Sequence, residues 1–123
     1  MKILVLLGLG LFVLAGTPVL ADDVADGQTV FRQMCSTCHT ATAGAKNGIG
    51  PNLFGVVGRK VGGAADYKYS AVLAADGGKW TADSLSTFLT APQKVKPGTR
   101  MSVSVKDDAK RAKLLAYLAS LKP

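Results

Sequence analysis

Residues 33–40 read Gln33-Met34-Cys35-Ser36-Thr37-Cys38-His39-Thr40, and they hold both cysteines and the single histidine of the 123-residue chain. Two thiols and an imidazole within five positions, with none elsewhere, leave few chemistries open. A redox dithiol needs a βαβ context, and no stretch here alternates convincingly enough to read as a strand. Half of a zinc site supplies three ligands where a closed tetrahedron takes four, and no further Cys or His completes it. A disulfide between Cys35 and Cys38 would close so short a loop that it would constrain little of the unfolded chain. Attachment of a c-type haem is self-sufficient. The thiols add to the two vinyl groups, and the histidine directly after Cys38 is placed to bind iron axially.

With haem expected, the next question is the iron's other axial ligand. No second histidine exists, so the candidate is a thioether, and the chain has three methionines. Met1 belongs to a leader, and Met34 abuts Cys35 on the attachment side, where a core role is expected. Met101 follows in Lys96-Pro97-Gly98-Thr99-Arg100-Met101, 62 residues beyond His39, far enough for the chain to cross to the opposite haem face. On the residues alone, Met101 reads either as ligand or as a gap-filling core methionine.

Upstream of the motif, Met1 to Ala21 has one cation, Lys2, and then an apolar stretch from Ile3 through Ala15. Val19-Leu20-Ala21 followed by Asp22-Asp23 gives a signal-peptide cleavage position after Ala21. A retained anchor is the alternative, but nothing basic follows to stop transfer. The expected division is residues 1–21 as leader and 22–123 as one domain. Removing the leader takes away Lys2 and no acid, so the net charge of +7 becomes +6. All eight acids are Asp. A domain this small is only modestly stabilised by one core, and covalent haem would give its loops an apolar body to wrap.

Both ends of the mature chain read as helices. From Asp22 to about Ser36, Val24, Gly27, Phe31 and Met34 recur at three- and four-residue spacing, with acids in the first turn to complement the dipole. Gly27 costs roughly 1 kcal/mol relative to Ala in a helix interior, which is tolerable where another helix crosses closely. A last helix is expected from Ser104, where Ser104-Val105-Lys106-Asp107 resembles a capping box, with Leu114, Tyr117, Leu118 and Leu121 on its apolar face. Thr81 caps a third helix to Ala91, which Pro92 stops. A short helical turn is expected around Tyr69 to Ala75. The fold class is all-α with long loops.

These residues together resemble class I cytochrome c of the bacterial and mitochondrial type. The anchors stand in order: Gly27 and Phe31, Cys35-Ser36-Thr37-Cys38-His39, Gly50-Pro51-Asn52-Leu53, Gly58-Arg59-Lys60, Tyr67-Lys68-Tyr69-Ser70, Trp80, Pro97-Gly98-Thr99-Arg100-Met101, Leu114 and Tyr117. The resemblance implies a small fold in which the N- and C-terminal helices cross at Gly27 and Phe31, with Leu114 and Tyr117 opposite, and the loops wrap one haem held through Cys35 and Cys38. It implies His39 and Met101 as iron ligands, with Pro51 accepting a hydrogen bond from the His39 imidazole. Arg59, Tyr69 and Trp80 would hold a buried haem propionate, and Phe31, Leu53, Leu89 and Leu118 would supply apolar walls. Three positions depart from the family pattern, all on the methionine side. Ser102-Val103-Ser104-Val105 lacks the usual aromatic and glycine and is one residue short, Phe88 replaces a tyrosine, and Leu73 replaces an asparagine.

His and Met on one iron leave no open position for substrate, and Met raises the potential. The expected function is a soluble periplasmic carrier of single electrons, not an enzyme. A haem enzyme or sensor, in which a labile Met101 opens the iron to peroxide or nitric oxide, is the alternative. A third reading is a dedicated acceptor for one periplasmic dehydrogenase. Lys46, Lys60, Lys94, Lys96, Arg100 and Lys106 would ring or neighbour the haem edge and steer toward acidic docking surfaces on an oxidase, reductase, photosynthetic centre or dehydrogenase. No nucleic acid, no membrane insertion after leader cleavage, and a monomer are expected.

Overall fold

The computed structural model describes Gly8, Gly10, Leu11 and residues 20–123. The expected leader therefore lies outside the described residues except for those three, Leu20 and Ala21. Five helices follow: α1 (Leu20–Met34), α2 (Ala71–Ala74), α3 (Ala82–Thr90), α4 (Pro92–Val95) and α5 (Asp108–Ser120). No strand occurs among the described residues; one isolated antiparallel bridge pairs Lys60 with Lys79. No helix among them is long and apolar enough to cross a membrane. The all-α expectation is met.

Helices α1 and α5 cross at Gly27. A Cβ there would stand 2.6 Å from the Lys113 carbonyl carbon and 2.8 Å from Tyr117 Cβ, closer than real atoms approach. The glycine thus gives up helix propensity to let two backbones touch. One turn on, the Phe31 and Tyr117 rings meet with centroids 5.5 Å apart. Leu114, only 1% exposed, and Leu118 sit beneath them in a core that also takes Val30, Leu85, Phe88, Leu89 and Val105.

Helix α3 starts as expected. The Thr81 hydroxyl accepts the Ser84 N–H (3.0 Å), and the Ser84 hydroxyl accepts the Thr81 N–H (2.9 Å), a reciprocal capping box. Pro92 ends α3 but also opens α4, at the first-turn position where its missing N–H costs nothing. The expected start of α5 at Ser104 is corrected: the cap is Asp107, whose carboxylate accepts the Lys110 N–H at 2.8 Å. Val105 stays outside the helix because it is buried and its N–H donates to Leu89 O at 2.7 Å. Burial and an acidic cap outweigh the Ser104 pattern.

Between α1 and α2 the chain runs through turns closed largely by Asn52. Its amide donates to Thr42 O (2.8 Å) and Ala45 O (3.0 Å), its side-chain oxygen accepts the Phe54 N–H (2.9 Å), and its own N–H donates to Asn47 Oδ1 (2.7 Å). These bonds satisfy a loop that has no ladder of its own.

Candidate haem site

A cavity of about 370 Å³ opens between the attachment motif and the segment before α5. All eight site residues expected from the sequence line it: Cys35, Cys38, His39, Pro51, Arg59, Tyr69, Trp80 and Met101. Leu53, Leu89 and Leu118 line it too, whereas Phe31 does not; that ring is used on Tyr117 at the helix crossing. Met34, expected in the core, packs against the core and also reaches the cavity wall.

The motif is placed by α1. Its last turn runs on as Cys35 N–H to Phe31 O (2.8 Å), and His39 N–H then bonds Cys35 O (2.9 Å), so both thiols and the imidazole share one turn. Both cysteines are free and half-buried. Burial, helped by Cys38, pushes the Cys35 thiol up to about 11, so it stays un-ionised at neutral pH and makes a poor redox nucleophile. Among the described residues no three His, Cys or acidic side chains gather to hold an ion by themselves.

His39 Nδ1–H donates to the Pro51 carbonyl at 2.8 Å, which fixes the tautomer and leaves Nε2 for a metal. Gly50 is what lets the ring sit there: a Cβ would lie 2.7 Å from Nδ1 and 2.9 Å from Nε2. Burial first, then the Arg59 charge, hold the imidazole below its usual range against the opposing Pro51 bond. A neutral imidazole is the form that ligates.

The cavity wall also tests what it encloses. Arg59 Nη1 donates to Asn52 O (2.9 Å) and Phe54 O (3.2 Å), but its Nε is buried without a partner. Among the described residues, Ser70 Oγ is the other buried side-chain polar atom left unpaired. Both residues line this cavity, two unsatisfied groups there call for an acceptor, and a haem carboxylate is such an acceptor. Tyr69 Oη accepts the Ala64 N–H at 2.9 Å and still has its own proton to donate. The residues present fit the group.

Ser70 was not singled out by sequence reasoning. The available signal is that it stands at the N-cap of α2 yet makes no capping bond there, so its hydroxyl is turned to another use. Thr99, Tyr67 and Ser102 are further lining residues the sequence did not assign. Thr99 is buried, and its hydroxyl accepts the Met101 N–H at 3.4 Å. The three departures all reach this region: Leu73 and Phe88 line the cavity, Phe88 with its ring 5.1 Å from Trp80, and Val103 sits at the rim, 42% exposed.

The family model for cytochrome c matches residues 24–122. A cytochrome c2 of Agrobacterium tumefaciens (strain II Chrys) is 43% identical over 108 residues, which is 82% of this chain and 96% of that protein. One from Blastochloris viridis is 40% identical over 112 residues, 89% and 87% of the two chains. A cytochrome c of Nigella damascena is 40% identical over 99 residues, 80% and 89% of the two. The chain therefore belongs to the cytochrome c family and carries that family's one covalent c-type haem through Cys35 and Cys38.

Proposed function

We propose that this protein is an exported, periplasmic single-electron carrier in which His39 and Met101 hold the haem iron from opposite sides. The observation that carries the reading is a single cavity that gathers two attachment thiols, an imidazole pinned through Nδ1, and two thioethers, of which Met34 abuts the attachment motif and Met101 comes from the segment before α5. Haem, when bound, supplies an iron that changes valence by one electron. The protein's part is to keep everything else still. Pro51 fixes the His39 ring, and Leu53, Leu89 and Leu118 exclude water. Arg59, Tyr69, Ser70 and Trp80 accommodate the buried carboxylate, whose charge would be costly unpaired. His39 and Met101 would hold the iron without having to leave it, so little of the protein would reorganise on electron transfer.

Lys46, Lys60, Lys94, Arg100 and Lys106 are exposed and supply the steering charge toward acidic surfaces of redox partners. Lys96 does not belong with them, because it is half-buried and paired with Asp76. The leader at residues 1–21 would direct export, and the carrier would work as a monomer.

The test is the absorption spectrum of the holoprotein made in a periplasm with haem-maturation machinery. Sharp low-spin bands and a ferric sulfur-to-iron transition are expected, and Met101→Ala should abolish the transition. A high-spin spectrum in the wild type would overturn the carrier reading in favour of an open iron that reacts with peroxide or nitric oxide.

A further inference from the structure

Residues 97–104, which carry Met101, make no backbone hydrogen bond to backbone beyond the adjacent Lys96 among the described residues. Thr99 N–H bonds Lys96 O (3.1 Å) and Met101 N–H bonds Thr99 Oγ1, both local. Within it the Arg100 guanidinium donates to Lys68 O, and beyond that one side-chain tie the segment is positioned by what grips its two ends. At the far end, Val105 N–H holds Leu89 O, and the Arg111 guanidinium donates to Val105 O (3.0 Å) and Lys106 O (3.3 Å).

The near end is gripped by Lys96. Its ammonium pairs with Asp76 and lies 5.8 Å from the centroid of the Trp80 ring. Both side chains are largely covered, at 27% and 17% exposure. Asp76 is itself anchored: Oδ1 accepts the Gly78 N–H (3.2 Å) across Gly77, a turn residue at φ +75°, which leaves Oδ2 for Lys96. The ribbon that carries Asp76 is bonded to the Arg59 loop through Val61 N–H to Gly78 O (2.8 Å), Trp80 N–H to Arg59 O (2.9 Å) and Gly58 N–H to Trp80 O (2.6 Å). So Lys96 fastens a sparsely bonded segment to a well-bonded wall. Neither Asp76 nor Lys96 lines the cavity.

We propose that the Asp76–Lys96 pair, seated on Trp80, is a positioning latch for Met101. Opening it lets the methionine withdraw from the iron while the attachment motif and the α1–α5 crossing stay in place. The inference rests on Met101 being an axial ligand. A half-covered ion pair with a cation–π contact corresponds to about a fivefold change in a local opening equilibrium.

Imidazole added to the ferric holoprotein competes with Met101, so its apparent affinity reads how readily the segment opens. Asp76→Asn, which can keep the Gly78 bond, and Lys96→Met, which keeps the apolar stem, should each raise that affinity about fivefold. The double variant should go little further than either single one. Exchange of the two charges (D76K with K96D) should bring the affinity back toward wild type. The unfolding midpoint followed by helical circular dichroism should shift far less than the imidazole affinity. Unchanged affinity in both single variants, or additive effects in the double, overturns the latch alone. If the wild type shows no sulfur-to-iron band, or Met101→Ala binds imidazole no more tightly than wild type, the ligand assignment fails and the latch falls with it.

Discussion

The two sides of the cavity are built on opposite plans. On the attachment side, backbone bonds do the holding: Cys38 N–H to Cys35 O (3.1 Å), Gly50 N–H to Cys38 O (2.8 Å), Leu53 N–H to Thr40 O (2.9 Å), and the His39 ring bonded to Pro51. On the methionine side, side chains grip a segment whose own backbone bonds reach no further than the adjacent Lys96. Of the two proposed ligands, one is held by secondary structure and covalent attachment, the other by contacts each worth little alone. The histidine side is thus the fixed one and the methionine side the adjustable one.

The largest effect expected is at the root of the rigid side. Gly27→Ala should cost about 3 kcal/mol or more, because a backbone carbonyl cannot retreat and the helix propensity gained is only about 1 kcal/mol. Denaturant unfolding of the holoprotein measures it, and a loss under 1 kcal/mol would mean that the crossing is soft. Next, Gly50→Ala pushes its methyl into the His39 ring and should cost about 2 kcal/mol with a rise in high-spin iron. If the spectrum stays fully low-spin, the attachment side yields more readily than its bonds indicate.

On the other side, Arg111→Leu strips the donors from Val105 O, Lys106 O and Ser86 Oγ (Nε to Oγ, 2.9 Å). About 1–2 kcal/mol should be lost, and the sulfur-to-iron band should disappear at lower denaturant than the helical signal. Coincident loss of both signals would make the two sides one cooperative unit.

The smallest effect is on pH. The Lys96 hydrogen bond holds the Asp76 carboxyl below its ordinary range. A depressed pKa contributes stability that is complete above the unfolded-state value and is lost as pH falls through the folded-state value. The pair should therefore be intact at neutral pH and open only on the acid side of the usual aspartate range. Following the sulfur-to-iron band with pH should show it retained further into acid in wild type than in Asp76→Asn.

The rigid side was nearly all legible in the sequence, because its residues are adjacent or a few positions apart: Cys35, Cys38, His39, then Gly50 and Pro51. Gly27 announced the helix crossing by being costly where it stands. The methionine side was less legible. Lys96 looked like one more loop cation because its partner lies 20 residues away, and no local pattern marks such a pair. Ser104 imitated a cap that Asp107 supplies, since burial of Val105 is decided by tertiary packing. Ser70 escaped notice because its value lies in a bond it does not make within the chain. Phe31 is expected on likeness both at the helix crossing opposite Tyr117 and in the cavity wall, and it serves the crossing alone.

The Gly27–Lys113 contact has a consequence for the order in which the molecule is finished. It joins α1, near the start of the domain, to α5, near its end, so the longest loop in the fold closes there. Closing so long a loop brings its reward only after nearly all of the chain exists. Until α5 has been made, α1 has no partner, and the cysteines at its exit stay reachable by whatever attaches the porphyrin. The glycine that allows the tightest contact in the finished protein thereby also leaves that contact to be made late.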